Sequence, residues 1–437
     1  MNAVTPPRVR RFAPLAALVL LLAGCGGDRE AAPGAAAAGG DPAQPSRVLD
    51  WPLPAITPGT SAPDLALAPD GRVLLSWLDS RPGRRHLFRF SAWDPAQQRW
   101  QTRPVTIAIG SRMFVNWADT PHILATADGA LWAHWLQKTA DAPYAYDVVL
   151  TRSQDGGANW APPVTPHDDG TPTEHGFVSL WPQGRDLLGI AWLDGRNTGG
   201  DEHAGHGAHD GSMMLRSALF DRGLQPVQEA TVDTRTCECC KTDVAMTDRG
   251  ALLVYRGRTG EEIRDILASR LEGNVWTAPR RVHADDWTMP ACPVNGPDLA
   301  ARGSEAVVAW YTAAGGEPQV KLARSSDAGD SFGEPLVLDR GNAVQGRVAV
   351  ALDARQVRVL WLREDGDGQS LWFARYAPDL SREFERIELA KLQGRGRATG
   401  FPKLVVHDGV SHAVWTDLLD GQPQLRGARI VAGAAAD

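Results

Sequence analysis

The side chains of this chain best able to do chemistry crowd into one stretch. Apart from Cys25, its cysteines are Cys237, Cys239, Cys240 and Cys292. Thiols placed this way can close loop-stapling disulfides or offer soft sulfur ligands to Cu or Zn. Four cysteines permit three pairings, and a bond between the neighbours Cys239 and Cys240 is strained, so one of those two is expected to join Cys292. Upstream, His203, His206 and His209 sit at every third position of a glycine-rich loop. That spacing reads either as a Zn- or Cu-binding tract or as a solvated loop. The segment Arg256–Asp265 carries Arg256, Arg258 and Arg264 together with Glu261, Glu262 and Asp265. Guanidinium forks hold carboxylates bidentately, so these arginines, with Arg196 and His175, are candidates for binding an anionic ligand. Glu262 and Asp265 are candidates for the two flanking groups that glycoside hydrolysis needs. The alternative for the same residues is a self-satisfied surface network of ion pairs. No cofactor is required, and the cysteine and histidine cluster leaves a metal open.

The rest of the chain must supply the elements that position these groups. Its 437 residues include 45 basic and 52 acidic side chains, for a formal net charge of −7. An acidic chain without a Lys/Arg-rich run argues against nucleic acid as a partner. No apolar stretch reaches the ~18–20 residues of a spanning helix. Arg8, Arg10 and Arg11 precede the apolar run 12–23, which ends in Gly24 and Cys25. A basic head, a short apolar middle and small residues at the end match an export signal over residues 1–24. The run Leu22-Ala23-Gly24-Cys25 resembles the lipobox of bacterial lipoproteins. That resemblance implies acylation of Cys25 and a lipid bilayer as partner. Gly26 in place of Asp implies the outer membrane. Residues 25–46 are small and proline-punctuated, a tether that cannot bury enough surface to fold.

Beyond the tether a unit recurs, consisting of an apolar strand, an Asp/Gly turn and a strand ending in an aromatic residue. The marker aromatics are Trp77, Trp135, Trp192, Tyr255, Trp310, Trp361 and Trp415, spaced 51 to 63 residues apart. Four short strands per unit at this period predict an all-β fold, a β-propeller over residues 47–431 with a short tail 432–437. Seven blades are expected, with six the alternative. The last unit lacks an outer strand, and residues 47–54 are expected to supply it, closing the ring and removing an open edge.

Two turns are sharper than the others. Residues 153–160 (SQDGGANW) and 325–332 (SSDAGDSF) both read S-x-D-x-G-x-x-aromatic. They resemble the Asp-box, or BNR repeat, of sialidase-like propellers. The resemblance implies structural roles for Ser153, Asp155, Gly157 and Trp160, and for Ser325, Asp327, Gly329 and Phe332. It also implies exo-alpha-sialidase-type chemistry, with a Tyr nucleophile assisted by Glu, an Asp acid/base and three arginines on the substrate carboxylate. The chain has no Phe-Arg-Ile-Pro motif, and its tyrosines are Tyr144, Tyr146, Tyr255, Tyr311 and Tyr376. In such propellers Asp-boxes lie opposite the functional face. Cys237, Cys239, Cys240, Cys292, Arg258, Glu262, Arg264 and His175 are therefore expected at one end of the ring, and Asp155 and Asp327 at the other. The function expected is a membrane-anchored propeller outside the cytoplasm that binds, with hydrolysis open, an acidic glycan or other anionic ligand on its top face. A non-enzymatic metal-site propeller and an envelope scaffold are the alternatives.

Overall fold

Each marker aromatic lies in the second strand of an antiparallel sheet, and all seven are buried. The computed structural model describes Met1 and residues 44–432, apart from 55, 81, 82, 84, 102 and 200–210. The chain divides into Met1–Ala37 and Ala38–Asp437, and the repeating strands all belong to the second unit. The export signal, Cys25, most of the tether, the histidines at 203, 206 and 209 and the last five residues lie outside the described residues.

Seven sheets form a seven-bladed propeller. Their inner strands are Thr60–Leu67, His122–Ala125, His175–Gln183, Asp243–Thr247, Asp298–Arg302, Val344–Leu352 and Lys403–His407. In the second blade, Val164 bridges Leu150 where a fourth strand would run. Two 3-10 turns, Ala314–Gly316 and Gly396–Thr399, are the helical content among the described residues. Apolar side chains of adjacent blades interdigitate in seven clusters, one for each pair of neighbours, so the ring has no unsealed seam. Seven seams require seven blades, and the six-bladed alternative falls.

Closure takes the expected form with a shorter strand. Ser46–Asp50 pairs antiparallel with Gln422–Ala432, with Arg47 opposite Val431 and Leu49 opposite Arg429. The chain then leaves the sheet, and Trp51 plugs the seam between the last and first blades. Its ring stacks on Trp100 at 4.9 Å and meets Trp93 edge-on at 5.9 Å.

The two sharp turns share one hydrogen-bond pattern. Ser153 Oγ donates to Asp155 and accepts from Gly157 N–H, while Asp155 accepts from Asn159 N–H. Ser325, Asp327, Gly329 and Ser331 repeat it. Trp160 packs edge-on against Phe90 of the first blade, and Phe332 packs into the seam between the fourth and fifth. Both turns follow third strands, at the end of the ring opposite the links between blades.

Candidate functional site

The links between blades, and the loops after second strands, share the end at which the inner strands begin. Antiparallel order therefore places residues 236–241, 256–265, 287–296 and His175 there, with Asp155 and Asp327 at the far end.

At that end Cys239 is bonded to Cys292, joining the two links that flank the fourth blade. Cys237 and Cys240 are free and buried, with sulfurs 3.0 Å apart. Burial pushes the Cys237 thiol up, but the Cys240 contact and the charges of Arg264 and Arg256 outweigh it and hold it at about 7. In this state two sulfurs remain as thiols, since Cys239 and Cys292 are spent on each other.

The arginine-rich loop turns mostly inward. Arg256 is buried and donates to the carbonyls of Asn295, Arg264 and Tyr311, with its guanidinium over the Trp287 ring at 5.0 Å. Arg264 is buried too, bonded to Cys237 Sγ at 3.2 Å, Glu238 at 2.7 Å and Glu262 at 2.9 Å. Glu262 also receives Arg258, whose hydrogen bond is the main reason its carboxyl lies below the usual range. Asp265 is buried and accepts the N–H groups of Asp286 and Trp287, facing Arg281 at 3.3 Å. The physical reason is local. Converging loops leave backbone carbonyls and amides without ladder partners, and these side chains satisfy them. Arg258 and Asp265 do border a cavity of about 150 Å³, together with Arg235 and Arg281. Arg196 forks onto Asp194 at 2.7 and 2.8 Å and reaches Asp169 at 3.2 Å. His175 is fully buried among Asp147, Asp169 and Asp194.

A second cavity, of about 250 Å³, lies on the ring axis among the beginnings of the inner strands. Asp64, Asp119, His122, Lys241, Asp243, Asp298 and Lys403 line it, with Phe177 and Phe401 among its apolar walls. Several of these carboxylates clasp one blade to the next. Asp119 accepts Phe177 N–H at 2.8 Å, Asp243 accepts Leu299 N–H at 2.7 Å and Asp298 accepts Val350 N–H at 2.7 Å. Three of them carry a sequence signal: Pro63-Asp64-Leu65, Thr242-Asp243-Val244 and Pro297-Asp298-Leu299 repeat one position of the unit.

Asp119 does more than clasp. Tyr146 Oη stands 2.5 Å from Glu174 Oε1 and 3.2 Å from Asp119 Oδ2. A phenol has one proton to donate, so its contact with the second carboxyl needs a proton on that carboxyl. Burial supplies the reason for one to stay: it raises Asp119 to about 7 and Glu174 to about 8. A trio of buried Asp119 and Tyr146 with half-buried Glu174, holding a shared proton at neutral pH, therefore backs the axial cavity. Nothing in one dimension marks Tyr146 out among the five tyrosines, because its partners come from two other segments.

Searched by sequence, the chain matches no family model and no curated protein. Solved structures do share its architecture. A protein of unknown function from Dyadobacter fermentans DSM 18053 superposes with a TM-score of 0.50 and 13% identity, covering 89% of this chain and 99% of that one. The polysaccharide lyase Uly1 gives 0.52 and 8%, covering 87% and 91%. A Hadza microbial sialidase gives 0.37 and 17%, covering 69% and 63%. At these identities the likeness of the first two is one of fold.

Proposed function

We propose that this protein is a carbohydrate-binding propeller, held outside the cytoplasm by acyl chains on Cys25 and anchored in the outer membrane. Its ligand is a small acidic sugar unit seated in the axial cavity. The observation that carries the reading is the placement of Asp119 on that cavity with Tyr146 and Glu174 behind it. Carboxylates suit a ligand rich in hydroxyls, the ammonium groups of Lys241 and Lys403, which pair with Asp298 and Asp64 in the cavity wall, can turn toward a ligand carboxylate, and the phenyl walls suit a sugar ring. The volume is below the ~300–1,000 Å³ of drug-sized pockets, which favours one sugar unit over a long chain. Uly1, a propeller of the same fold, carries the name of a polysaccharide lyase, in keeping with the reading. If hydrolysis occurs, the protonated trio is where a general acid is available. Glu262 and Asp265 then brace the rim.

The test is calorimetry with neutral and acidic mono- and disaccharides. Saturable binding of an acidic sugar is expected, weakened at least tenfold in Asp119→Asn and Tyr146→Phe variants. Failure of every sugar to saturate the wild type overturns the reading. Release of a fluorophore from a sialoside decides hydrolysis separately. The anchor is tested by detergent-phase partitioning, which Cys25→Ala is expected to abolish.

A further inference from the structure

Between the second and third blades, two histidines and three aspartates meet in an arrangement that the axial cavity and the cysteines do not use. The rings of His167 and His175 lie face to face, with centroids 3.8 Å apart and planes 11° from parallel. One nitrogen of each ring points at the same carboxylate oxygen: Asp169 Oδ2 stands 3.1 Å from His175 Nε2 and 3.3 Å from His167 Nδ1. Asp169 is itself fixed, accepting from Thr171 N–H at 3.0 Å and facing Arg196 at 3.2 Å. An acceptor shared by two imidazoles sets their tautomers. With both rings neutral, this places the proton of His175 on Nε2 and that of His167 on Nδ1.

The remaining nitrogens, His175 Nδ1 and His167 Nε2, are then bare lone pairs. Both are buried, and neither has a hydrogen-bond partner. Their side chains are 0% and 3% exposed, so water does not satisfy them from outside. Both face Asp147 Oδ1, at 3.5 Å from His175 and 3.9 Å from His167. One ligand atom from each of Asp147, His167 and His175 lies within 4.8 Å of the others. With the rings neutral, a carboxylate cannot donate to those nitrogens, so two buried acceptors face a third unless a proton or a cation sits between them.

We propose that Asp147, His167 and His175 form a binding site for a divalent first-row transition metal ion, with zinc the first choice. A cation converts the three mutually unsatisfied acceptors into ligands. Two neutral imidazoles and one carboxylate form a donor set of the kind that holds zinc while leaving a coordination position open. Bonds of about 2.0–2.1 Å place tetrahedral ligand atoms about 3.3 Å apart, close to the observed 3.5 and 3.9 Å, but the rings are stacked, so binding one ion requires them to splay until both in-plane lone pairs converge on it. Asp169 plays the outer part, holding the far nitrogens as carboxylates behind zinc-bound histidines do. The charge balance also favours a cation. Arg196 pairs with Asp169 and Asp194, and Arg216 stands 3.9 Å from Asp194, so these two guanidinium groups sit beside Asp169 and Asp194 rather than Asp147.

The test uses the full chain made without a polyhistidine tag and stripped with a chelator. It is titrated with zinc by calorimetry and with cobalt(II) by visible absorption. The expected result is one equivalent bound, with cobalt bands of low coordination number and no thiolate charge-transfer band. Asp147→Asn, at a half-buried position that tolerates the change, and His167→Gln are each expected to weaken binding at least tenfold. Asp169→Asn should weaken it by about 10–100-fold by releasing the two imidazoles from their common acceptor. Replacing His203, His206 and His209 together by alanine should leave it unchanged. The proposal is overturned if no stoichiometric uptake occurs, if cobalt shows the thiolate band, if the triple alanine variant loses the ion, or if Asp147→Asn melts like wild type and binds equally well.

Discussion

Glycine at position 329 is required by sterics. Its φ is +87°, and a Cβ there would come within 2.5 Å of Leu252 Cδ1, a buried side chain in the seam behind the turn. Gly156 has φ +70° with nothing within 4 Å of a Cβ. Gly329→Ala should therefore cost about 2–4 kcal/mol, from backbone strain and overpacking together, and Gly156→Ala about 1 kcal/mol. Urea unfolding of the two variants side by side checks the difference, and equal losses would contradict the seam argument. Asp243 offers a test by pH. Burial raises its carboxyl to about 7, assisted by the charge of Asp298 and opposed by Lys241 and two backbone N–H groups. In the unfolded chain an Asp titrates near ~3.9. Between those values the folded state keeps a proton that the unfolded state has released. Its contribution is thus complete below about pH 4 and is lost as pH rises through 7. Wild type should lose stability relative to Asp243→Asn between pH 4.5 and 8, measured by paired urea titrations. A difference that is constant with pH would show that Asp243 does not titrate in that range.

At the scale of elements, the fourth blade is held by a staple as well as by its seams. The Cys239–Cys292 bond closes a loop of sequence separation 53 across that blade. Chain-entropy arguments assign such a loop about 4 kcal/mol, and measured disulfides commonly give about 2–4 kcal/mol. Cys292→Ala is expected to lower stability within that range. Thiol titration of the unreduced, unfolded wild type should find Cys237 and Cys240 free, with Cys239 and Cys292 silent. Reactive Cys292 would mean that the staple is absent. The arginines at this end act with the staple, since Arg256 ties the loop after the second strand to the link carrying Asn295. Elements that look like a charged binding loop in one dimension are here a cross-braced rim.

For the whole molecule, closure is the deciding feature. An open array of repeats unfolds from its ends, because each unit rests only on its neighbours. This ring has no terminal unit: the strand Ser46–Asp50 completes the last blade and Trp51 fills the final seam. Wild type should unfold in one transition, with tryptophan fluorescence and far-ultraviolet circular dichroism coincident. Deleting residues 46–54 should lower the midpoint and separate the two probes. Trp51→Ala alone should cost about 3–5 kcal/mol. Coincident, unshifted curves in the deletion variant would show that the ring does not depend on its closing strand. The number of blades and the manner of closure were legible in one dimension. They rest on period, turn residues and buried aromatics, all local properties that repeat. Which end of the ring each loop occupies was legible too, because strand alternation fixes it. What only the tertiary structure decided is which polar groups face one another. Asp119 and Glu174 stand 27 and 28 residues from Tyr146 in sequence. Asp147, His167 and His175 likewise come from separate segments brought together by the ring. The arginines of 256–264 read identically whether they point out or in. Their direction depends on backbone groups left unpaired where loops from different blades converge, and no spacing within one loop records that.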